Sequence, residues 1–453
     1  MAGVITRELQ RELAKHLFND IDDSANTRYY IGVGKSEQWN DSDIATSPAS
    51  TDREERNFRA GMQAIKLVTD YSLVVPRTNW VVGRIYTPYN DNAATSITDY
   101  YVLTDENQVY LCLKQAKNAL GVAQVSTVKP TGTSSSALVT ADGYVWKFLY
   151  SINTAQANKF LSSAWMPIKY VDSAGAGDVA TDIEQYGIQN AAVAGQINNI
   201  TLISGGTGYT SAPTVTIKGD GSAAQARATV SGGSVVKVEI VDSASSFLSG
   251  NGYTKASVTF SGGGGTGASA RPNLSPRLGF GADPRDDLRA RAIMTDIQPS
   301  GNEGGEWLID NDFRQIGLLK NPLLFDSADR YTGTSLNMLY ALKLQGGAAA
   351  TSGFTVGATL TGLTSGSNAI IDKLDSDLIY YHQNETTGFG TWTVGEGVED
   401  DASGTGTLVT DSASYILEPV ADPFTGKLLY IENRAAVVRA SSQTEDIKIV
   451  LQM

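Results

Sequence analysis

The first periodic segment of the chain predicts a helix. Leu9, Leu13 and Leu17 recur every four residues, with Arg, Glu, Lys and Gln between them. This spacing places the three leucines on one face, so we expect an apolar stripe that packs inward. His16 lies beside the stripe and is expected to be a partly buried packing residue rather than a catalytic base.

A second helix is predicted to begin at Thr51. The Thr51 hydroxyl can accept a hydrogen bond from the amide of Glu54 while the Glu54 side chain reaches back, which is the arrangement called a capping box. Phe58, Met62 and Ile65 follow at helical spacing. We expect these three residues to form the buried stripe of the helix.

Apolar and alternating runs predict strands elsewhere. The expected strands are Tyr29–Gly34, Tyr100–Leu103, Val109–Leu113 and Tyr144–Ile152. Near the end of the chain, Ile447, Ile449 and Leu451 alternate with other residues, which is the period of a strand with one buried face. We expect this last strand to pair inside the core.

Two glycine-rich stretches contain internal repeats. In the first, Ser204–Thr210 returns as Ser249–Thr254, so that 44 residues separate Tyr209 from Tyr253. The strands expected after the two copies are Thr214–Ile217 and Ser257–Phe260.

In the second stretch, Phe354–Gly357 returns as Trp392–Gly395, and Ser365–Gly366 returns as Ser403–Gly404, each 38 residues later. A unit of two or three strands cannot bury a face alone. We therefore expect each pair of repeats to close one small sandwich or barrel.

These patterns predict an α+β core that carries β-rich, sandwich- or barrel-like inserted domains, in a multidomain chain that is mostly β. The core is expected at residues 1–195, 273–345 and 415–453, and the insertions at residues 196–272 and 346–414. Of the 46 glycines, most fall in or near the insertions, where they suit tight turns.

Composition narrows the classes of function. Apolar residues make up 41% and charged residues 18% of 453, which favours packed domains over disorder. A net charge of −13 with no Lys/Arg block argues against nucleic acid as a partner. There is no apolar leader segment and no apolar run of membrane-spanning length, so neither secretion nor membrane insertion is expected.

Few residues could support metal or catalytic chemistry. Cys112 is the only cysteine, and His16 and His382 are the only histidines, which excludes intrachain disulfides and zinc sites built from Cys and His. The acidic runs Asp20–Asp23 and Asp310–Asp312 lack the spaced ligands of an EF-hand loop. We expect no metal, no cofactor and no enzymatic activity.

Two segments resemble nucleotide-binding loops only in part. Gly34–Ser36 ends a predicted strand, but Tyr29 stands where a phosphate-binding loop needs its first glycine, so a plain strand exit is expected. Gly262–Gly267 has the glycine density of a dinucleotide loop without the helix that should follow. A hairpin turn is expected there.

Charged and aromatic clusters could serve either the fold of the chain itself or an interface with a partner protein. Asp283–Arg291 alternates charges and is expected to be a solvated face with weak ion pairs, with an electrostatic docking edge for a protein partner as the alternative. For the pairs Tyr100–Tyr101 and Tyr380–Tyr381, packing is favoured over an interface.

Six short motifs follow one another along the core. They are Tyr29–Trp39, Val74–Trp80, Tyr110–Leu113, Asp142–Tyr150, Asp312–Pro322, and Leu429–Arg434 with Gln443–Ile449. In residue content and order the series resembles the baseplate wedge subunit known as the eighth gene product of T-even-like contractile-tailed bacteriophages. The resemblance covers roughly residues 1–190, 275–345 and 416–453 and leaves out both insertions.

The resemblance implies a non-enzymatic structural protein of the virion. Such a protein is a homodimer in the tail baseplate, contacts other baseplate wedge proteins, and is assembled in the host cytoplasm. The motif positions, which are also possible interface positions, are Trp39, Arg77, Trp80, Trp146, Arg314, Asn433 and Arg434. The alternative is a receptor- or glycan-binding tail component that uses the glycine-rich β insertions for contact.

Overall fold

Strands account for 39% of the chain and helices for 11%. The computed structural model describes residues 6–93, 98–175, 178–243, 246–309 and 311–453. Several sheets and a few helices make up the structure, so the predicted class, a multidomain and mostly β chain with an α+β core, is confirmed.

Five α-helices, one 3₁₀ turn and thirty strands follow one another along the described residues. The helices are α1 (Arg7–Asp22), α2 (Asp52–Ala60), α3 (Thr154–Phe160), α4 (Ala180–Asn190), α5 (Pro284–Asp287) and a 3₁₀ turn at Glu303–Gly305. The first strands are β1 (Tyr29–Gly34), β2 (Met62–Leu67), β3 (Asp70–Pro76), β4 (Tyr101–Leu103), β5 (Gln108–Lys114), β6 (Leu138–Val139), β7 (Val145–Ser151) and β8 (Trp165–Pro167). Next come β9 (Ile197–Thr207), β10 (Thr214–Gly219), β11 (Ser222–Ala224), β12 (Ala226–Ser231), β13 (Ser234–Ile240), β14 (Asp242–Ser243), β15 (Ser246–Phe247), β16 (Ser249–Asn251), β17 (Ala256–Ser261) and β18 (Thr266–Leu274). The last are β19 (Ala292–Ile297), β20 (Asp312–Lys320), β21 (Ser335–Asn337), β22 (Tyr340–Lys343), β23 (Thr359–Gly362), β24 (Asn368–Asp375), β25 (Leu378–His382), β26 (Gly397–Asp400), β27 (Thr405–Thr407), β28 (Ile416–Leu417), β29 (Lys427–Val438) and β30 (Ile447–Gln452).

The chain divides into two compact units, and each is built from separate segments. Unit 1 comprises Met1–Phe18, Ser72–Met294 and Val450–Met453, and unit 2 comprises Asn19–Tyr71 and Thr295–Ile449. The first predicted insertion therefore falls in unit 1 and the second in unit 2. Among the helices of the described chain, none has the length and apolar character needed to cross a membrane.

Helix α1 forms where predicted, but its leucines do not form a buried stripe. Leu9 and Leu13 are each 48% exposed, whereas Ala14 and Ile21 are buried. Residues seven apart lie nearly two turns apart on one face, so Ala14 and Ile21 share the inward face. Leu9 and Leu13 point away from it, and Leu17 is half-buried at its edge. His16 is exposed as well, so its expected partial burial was wrong.

The core of unit 1 surrounds a four-stranded antiparallel sheet with the order β4-β5-β7-β6. Aromatic rings dominate this core, and the ring of Trp146 stacks on that of Tyr144 with centroids 5.5 Å apart. Tyr100 and Tyr101 are buried at 2% and 1% exposure, which confirms the preference for packing.

The first insertion is a pair of similar halves. Strands β10 and β17, one from each repeat, pair antiparallel, and Tyr209 and Tyr253 are both buried in one shared core. Matching glycines have matching backbones, since φ is +63° at Gly206 and +65° at Gly250. A Cβ at either glycine would lie within 2.4 Å of a carbonyl oxygen, so both repeats require glycine there.

The glycine-rich segment after β17 differs from its prediction. It joins β17 to β18, and these strands pair with β10 and β9 respectively rather than with each other. The segment is therefore a tight turn between two sheets and not the expected hairpin turn.

Unit 2 contains a five-stranded sheet with the order β21-β2-β1-β20-β29. Thr51 caps α2 by accepting a hydrogen bond from the amide of Glu54, as predicted. The helix packs on the sheet through Phe58, whose ring fills the space above Gly317, where a Cβ would lie 2.4 Å from the ring.

Helix α2 is shorter than predicted. It ends at Ala60, and Met62 and Ile65 belong to strand β2 instead of the helix. Residues 62–65 are all buried, so the apolar positions of this strand carry no period that could separate it from a helix.

The second insertion lies within a seven-stranded sheet with the order β27-β26-β23-β24-β25-β22-β28. Phe354 and Trp392, the matching aromatic residues of the two repeats, are buried in the same core. The sheet also takes in β22 and β28, which lie outside the predicted bounds of residues 346–414.

Two buried carboxylates join the repeats of the second insertion. Glu396 and Asp400 are 4% and 5% exposed. The donors are the amides of Thr393 (2.6 Å) and Ser365 (2.8 Å) for Glu396, and those of Thr355 (2.8 Å) and Gly404 (2.5 Å) for Asp400. Each carboxylate therefore links the loop of one repeat to the turn of the other.

The last strand forms as predicted. β30 is an edge strand of a sheet with the order β30-β19-β3-β8. Ile447 and Ile449 are buried, and Leu451 is half-buried.

Candidate functional site

Four of the seven motif positions meet in unit 2, on the loop that leaves β1 and on strands β20 and β29. The indole Nε1 of Trp39 donates a hydrogen bond to the carbonyl oxygen of Arg434 at 2.9 Å, although 395 residues separate them. The amide of Trp39 donates to Asp43 at 3.1 Å. Lys35 Nζ lies 4.7 Å from the centre of the indole ring, which is a cation–π distance.

Arg314 fixes the same loop from strand β20. Its side chain is 4% exposed, and its guanidinium donates to both carboxylate oxygens of Asp43 at 2.8 Å. It also donates to Asp312 at 2.9 Å and to the carbonyl oxygen of Ser36. Burial alone would lower the pKa of Arg314, but the hydrogen bonds to Asp43 outweigh it and raise that pKa.

Asn433 completes the set on strand β29. Its Oδ1 accepts a hydrogen bond at 2.8 Å from Gln315, which is its cross-strand partner on β20. Because the polar pair lies at the ladder between the two strands, it helps to hold their register. The motifs around residues 39, 314 and 434 thus contact one another directly.

A buried ionic cluster lies next to this loop. His382 is 2% exposed, with Nδ1 2.5 Å from Asp372 Oδ2 and Nε2 3.4 Å from Glu37 Oε2. Burial alone would lower the pKa of His382, but the two carboxylates outweigh it and raise that pKa to about 10. The His382 ring is therefore an imidazolium at neutral pH.

The second oxygen of Asp372 collects neutral donors. It accepts hydrogen bonds from Ser36 Oγ at 2.7 Å, and from Gln63 Nε2 and Asn311 Nδ2, both at 3.3 Å. Ser36 thus donates to a carboxylate, and a protonated His382 cannot act as a general base toward it. In this arrangement the cluster anchors the loop after β1 to the sheets of unit 2.

The remaining motif positions lie in unit 1. Trp146 is fully buried and its ring contacts those of Tyr86 and Tyr144. Trp80 is half-buried and its Nε1 donates to Ser126 Oγ at 3.2 Å. Arg77 donates to Asn79 at 2.8 Å and to the carbonyl oxygen of Ser162 at 2.9 Å.

The segment Asp283–Arg291 is not the solvated face that was expected. Asp287 is completely buried and accepts a hydrogen bond from the amide of Gly281 at 2.8 Å. Burial raises the pKa of Asp287 well above its ordinary value. Arg285 lies 3.6 Å from the centre of the Tyr170 ring. The charged side chains of this segment therefore make contacts within the protein instead of lying free in solvent.

The acidic runs are already engaged in the fold. Asp20 contacts Lys320 and Tyr29, and the carboxylate of Asp22 accepts from Tyr71. Asp310 lies outside the described residues. Among residues 6–93, 98–175, 178–243, 246–309 and 311–453, no group of three or more His, Cys, Asp or Glu side chains is arranged to hold a metal ion.

Sequence reasoning missed the cluster at His382 and the carboxylates at Glu396 and Asp400. One signal was available for the second pair, since acids are rare in the Gly-, Thr- and Val-rich repeats and a charge there needs a partner. No local signal links His382 to Glu37, because the fold alone brings them together.

In comparisons with known proteins, no family model matches the chain, and no curated protein matches it.

Proposed function

We propose that this chain is a structural baseplate wedge protein of a contractile phage tail. It acts as a homodimer that holds neighbouring wedge proteins in place by protein–protein contacts. Its location is the tail baseplate of the virion, and it is assembled in the host cytoplasm.

One observation carries this proposal, namely the direct contact between distant motifs. Trp39 bonds to the backbone of Arg434, and Arg314 holds the loop that contains Trp39 through Asp43. Motifs that resemble those of one family would be expected to serve a shared fold in this way. These contacts support the proposal that the chain resembles the baseplate wedge family in its fold as well as in short sequence motifs.

The chemistry of the site also favours a scaffold. The polar side chains around Asp372 bond to one another, and His382 is held as a charged structural group. Such a network keeps a surface loop rigid, which suits a protein whose faces must fit fixed neighbours.

The alternative, a receptor- or glycan-binding component, predicts exposed aromatic side chains on the insertions. In the first insertion, Tyr209 and Tyr253 are buried, and Phe247 and Phe260 are half-buried. In the second insertion Phe389 is 61% exposed, whereas the other aromatic side chains at residues 346–414 are buried or half-buried. A single exposed ring gives less contact area than a glycan site built from several rings, so the scaffold stays the preferred proposal and the alternative becomes an outcome of the test.

The test is to disrupt the gene in the phage that encodes the chain and to examine the particles by electron microscopy. A baseplate scaffold predicts that tails with complete baseplates are absent and that supplying the wild-type chain restores them. A receptor-binding component predicts complete particles that fail to adsorb to cells. Complete and infectious particles without the chain would refute both.

A matched pair of variants tests whether the contacts of the loop that contains Trp39 are needed for baseplate assembly. Asp43→Asn removes the charge that holds Arg314, whereas Asp41→Asn changes an exposed neighbour with the same loss of charge. We expect Asp41→Asn to restore assembly fully and Asp43→Asn to restore it poorly. Equal restoration would show that the loop geometry does not matter for assembly.

A further inference from the structure

A cleft in unit 1 gathers positive charge. It has a volume of about 300 Å³ and lies between the start of α1, the loop at residues 276–278 and the end of the Asp283–Arg291 segment. Among the residues that the structure describes, the arginines lining the cleft are Arg7, Arg11, Arg277, Arg289 and Arg291, and the acids lining it are Glu8 and Asp286. A local excess of positive charge stands out in a chain whose net charge is −13.

The arginines of this cleft differ in how they are held. Arg11 pairs with Asp286 and with Glu8. Arg289 lies 5.0 Å from the ring centre of Tyr89 and donates to the carbonyl oxygen of Asn90 at 2.6 Å. These contacts fix the positions of two guanidinium groups on the wall of the cleft.

Two other arginines are available for a ligand. The side chains of Arg7 and Arg277 are exposed, and within the described residues they make no ion pair and no hydrogen bond. Burial lowers the pKa of Arg7, the nearby charge of Arg289 lowers it further, and the charge of Asp91 opposes both without reversing the shift.

Apolar groups form the rest of the wall. Leu278 is 54% exposed at the mouth, and Pro276 and Ala290 also line the cleft. An inorganic ion would make no favourable contact with the exposed side chain of Leu278. A peptide segment that carries acidic and apolar side chains side by side matches both kinds of surface.

We propose that this cleft is a docking site for an acidic segment of a partner protein, with its carboxylates bound by Arg7 and Arg277 and an apolar side chain against Leu278. Guanidinium groups bind carboxylates with two parallel hydrogen bonds, which gives both strength and orientation. The inference goes beyond the proposed function, since it rests on the cleft alone and holds or fails separately from the role in a baseplate.

Nucleic acid fits the cleft less well. The phosphates of a polynucleotide that lie outside the cleft would be repelled by a protein whose net charge is −13, and that repulsion opposes binding. A short acidic segment places only a few charges in the cleft and avoids this repulsion.

The test uses the full-length protein and a fluorescein-labelled peptide in which glutamate and leucine alternate. Fluorescence anisotropy measures its dissociation constant, with a matched peptide that has glutamine in place of glutamate. We expect binding of the acidic peptide that weakens as salt is added, and at least about tenfold weaker binding of the glutamine peptide.

Variants locate the site. The double variant Arg7→Gln with Arg277→Gln should weaken binding of the acidic peptide at least about tenfold, because both free guanidinium groups are lost. Arg56→Gln with Arg84→Gln removes two exposed arginines outside the cleft and serves as the control. Thermal unfolding of both double variants should match that of the wild type, since all four side chains are exposed.

Three results would overturn the proposal. The glutamine peptide binding as tightly as the acidic one would exclude recognition of carboxylates. Equal losses in the two double variants would show an unspecific charge effect. Tighter binding of a single-stranded oligonucleotide or of inorganic phosphate than of the acidic peptide would assign the cleft to a different ligand.

Discussion

Replacing Glu396 by Gln should selectively loosen the second insertion. The carboxylate accepts four hydrogen bonds, two on each oxygen, and its residue is only 4% exposed. The shape of the side chain is nearly unchanged in Glu396→Gln. One oxygen, however, becomes an NH₂ group that faces two donors.

The magnitude follows from those bonds. Hydrogen bonds to charged groups contribute about 1.5–3 kcal/mol each, and the variant loses two of them and opposes donor to donor. Allowing for relaxation of the loop, we expect the free energy of local opening to fall by about 3–5 kcal/mol. Glu399, an exposed acid three residues further along the chain in β26, offers the matched control Glu399→Gln, which should change that free energy by less than about 0.5 kcal/mol.

Hydrogen–deuterium exchange with mass spectrometry measures this effect where it occurs. Peptides that contain Thr364, Ser365 and Thr393 should exchange at least about 100-fold faster in Glu396→Gln than in the wild type. Peptides from the first insertion should be unchanged. If these peptides exchange alike in Glu396→Gln and Glu399→Gln, the carboxylate does not join the two repeats and this account of the insertion is wrong.

Acid should reproduce part of the effect. Burial alone would raise the pKa of Glu396, but the hydrogen bonds from Thr393 and Ser365 outweigh it and lower that pKa below the ordinary value. A carboxyl whose folded-state pKa lies below its unfolded pKa contributes stability above the unfolded value and loses it as pH falls through the folded value. Protection of the second insertion should therefore fall under acidic conditions, below about pH 4, and Glu396→Gln should lack this component.

Three further predictions concern α1, the last strand and the oligomeric state. Ile21→Ala should lower the free energy of unfolding in urea by about 2–5 kcal/mol and Leu13→Ala by less than about 1 kcal/mol, because Ile21 is buried and Leu13 is exposed. A larger loss in Leu13→Ala than in Ile21→Ala would mean that the leucines form the buried face of α1 after all. Deleting residues 447–453 removes two buried isoleucines, each contributing about 1.5–3 kcal/mol, and should give an insoluble or unfolded chain; a melting temperature within a few degrees of the wild type would contradict this. Sedimentation equilibrium at micromolar concentration should give twice the chain mass of 48.1 kDa, and a monomer would count against the proposed homodimer.

Strands with strong apolar runs were predictable from the sequence. Strand β1 has the predicted bounds, and β30 keeps the predicted alternation. The repeats also predicted real structure, because matched glycines such as Gly206 and Gly250 need the same left-handed backbone. In these places the local pattern and the tertiary packing require the same residue types.

The predictions failed where the sequence was compatible with two structures and tertiary packing determined which of them formed. In α1 the inward face is the one with Ala14 and Ile21, although the leucine spacing is more regular. In β2 full burial removed the alternation that distinguishes a strand from a helix.

The sites were harder to predict than the fold. The cluster of His382, Asp372 and Glu37 joins residues that are distant along the chain, and none of them belongs to a local motif of that chemistry. The motif residues Trp39 and Arg314 could be named from the resemblance. Their contacts with Arg434 and Asp43 could not, because only the sheet of unit 2 brings them together.

The proposed role in a baseplate is tested most directly by cryo-electron microscopy of purified particles from the phage that encodes the chain. The proposal predicts density for this chain in the tail baseplate, in pairs related by a two-fold axis and in contact with other wedge proteins. Density for the chain only at the tip of a receptor-binding fibre, or particles that lack the chain altogether, would contradict it.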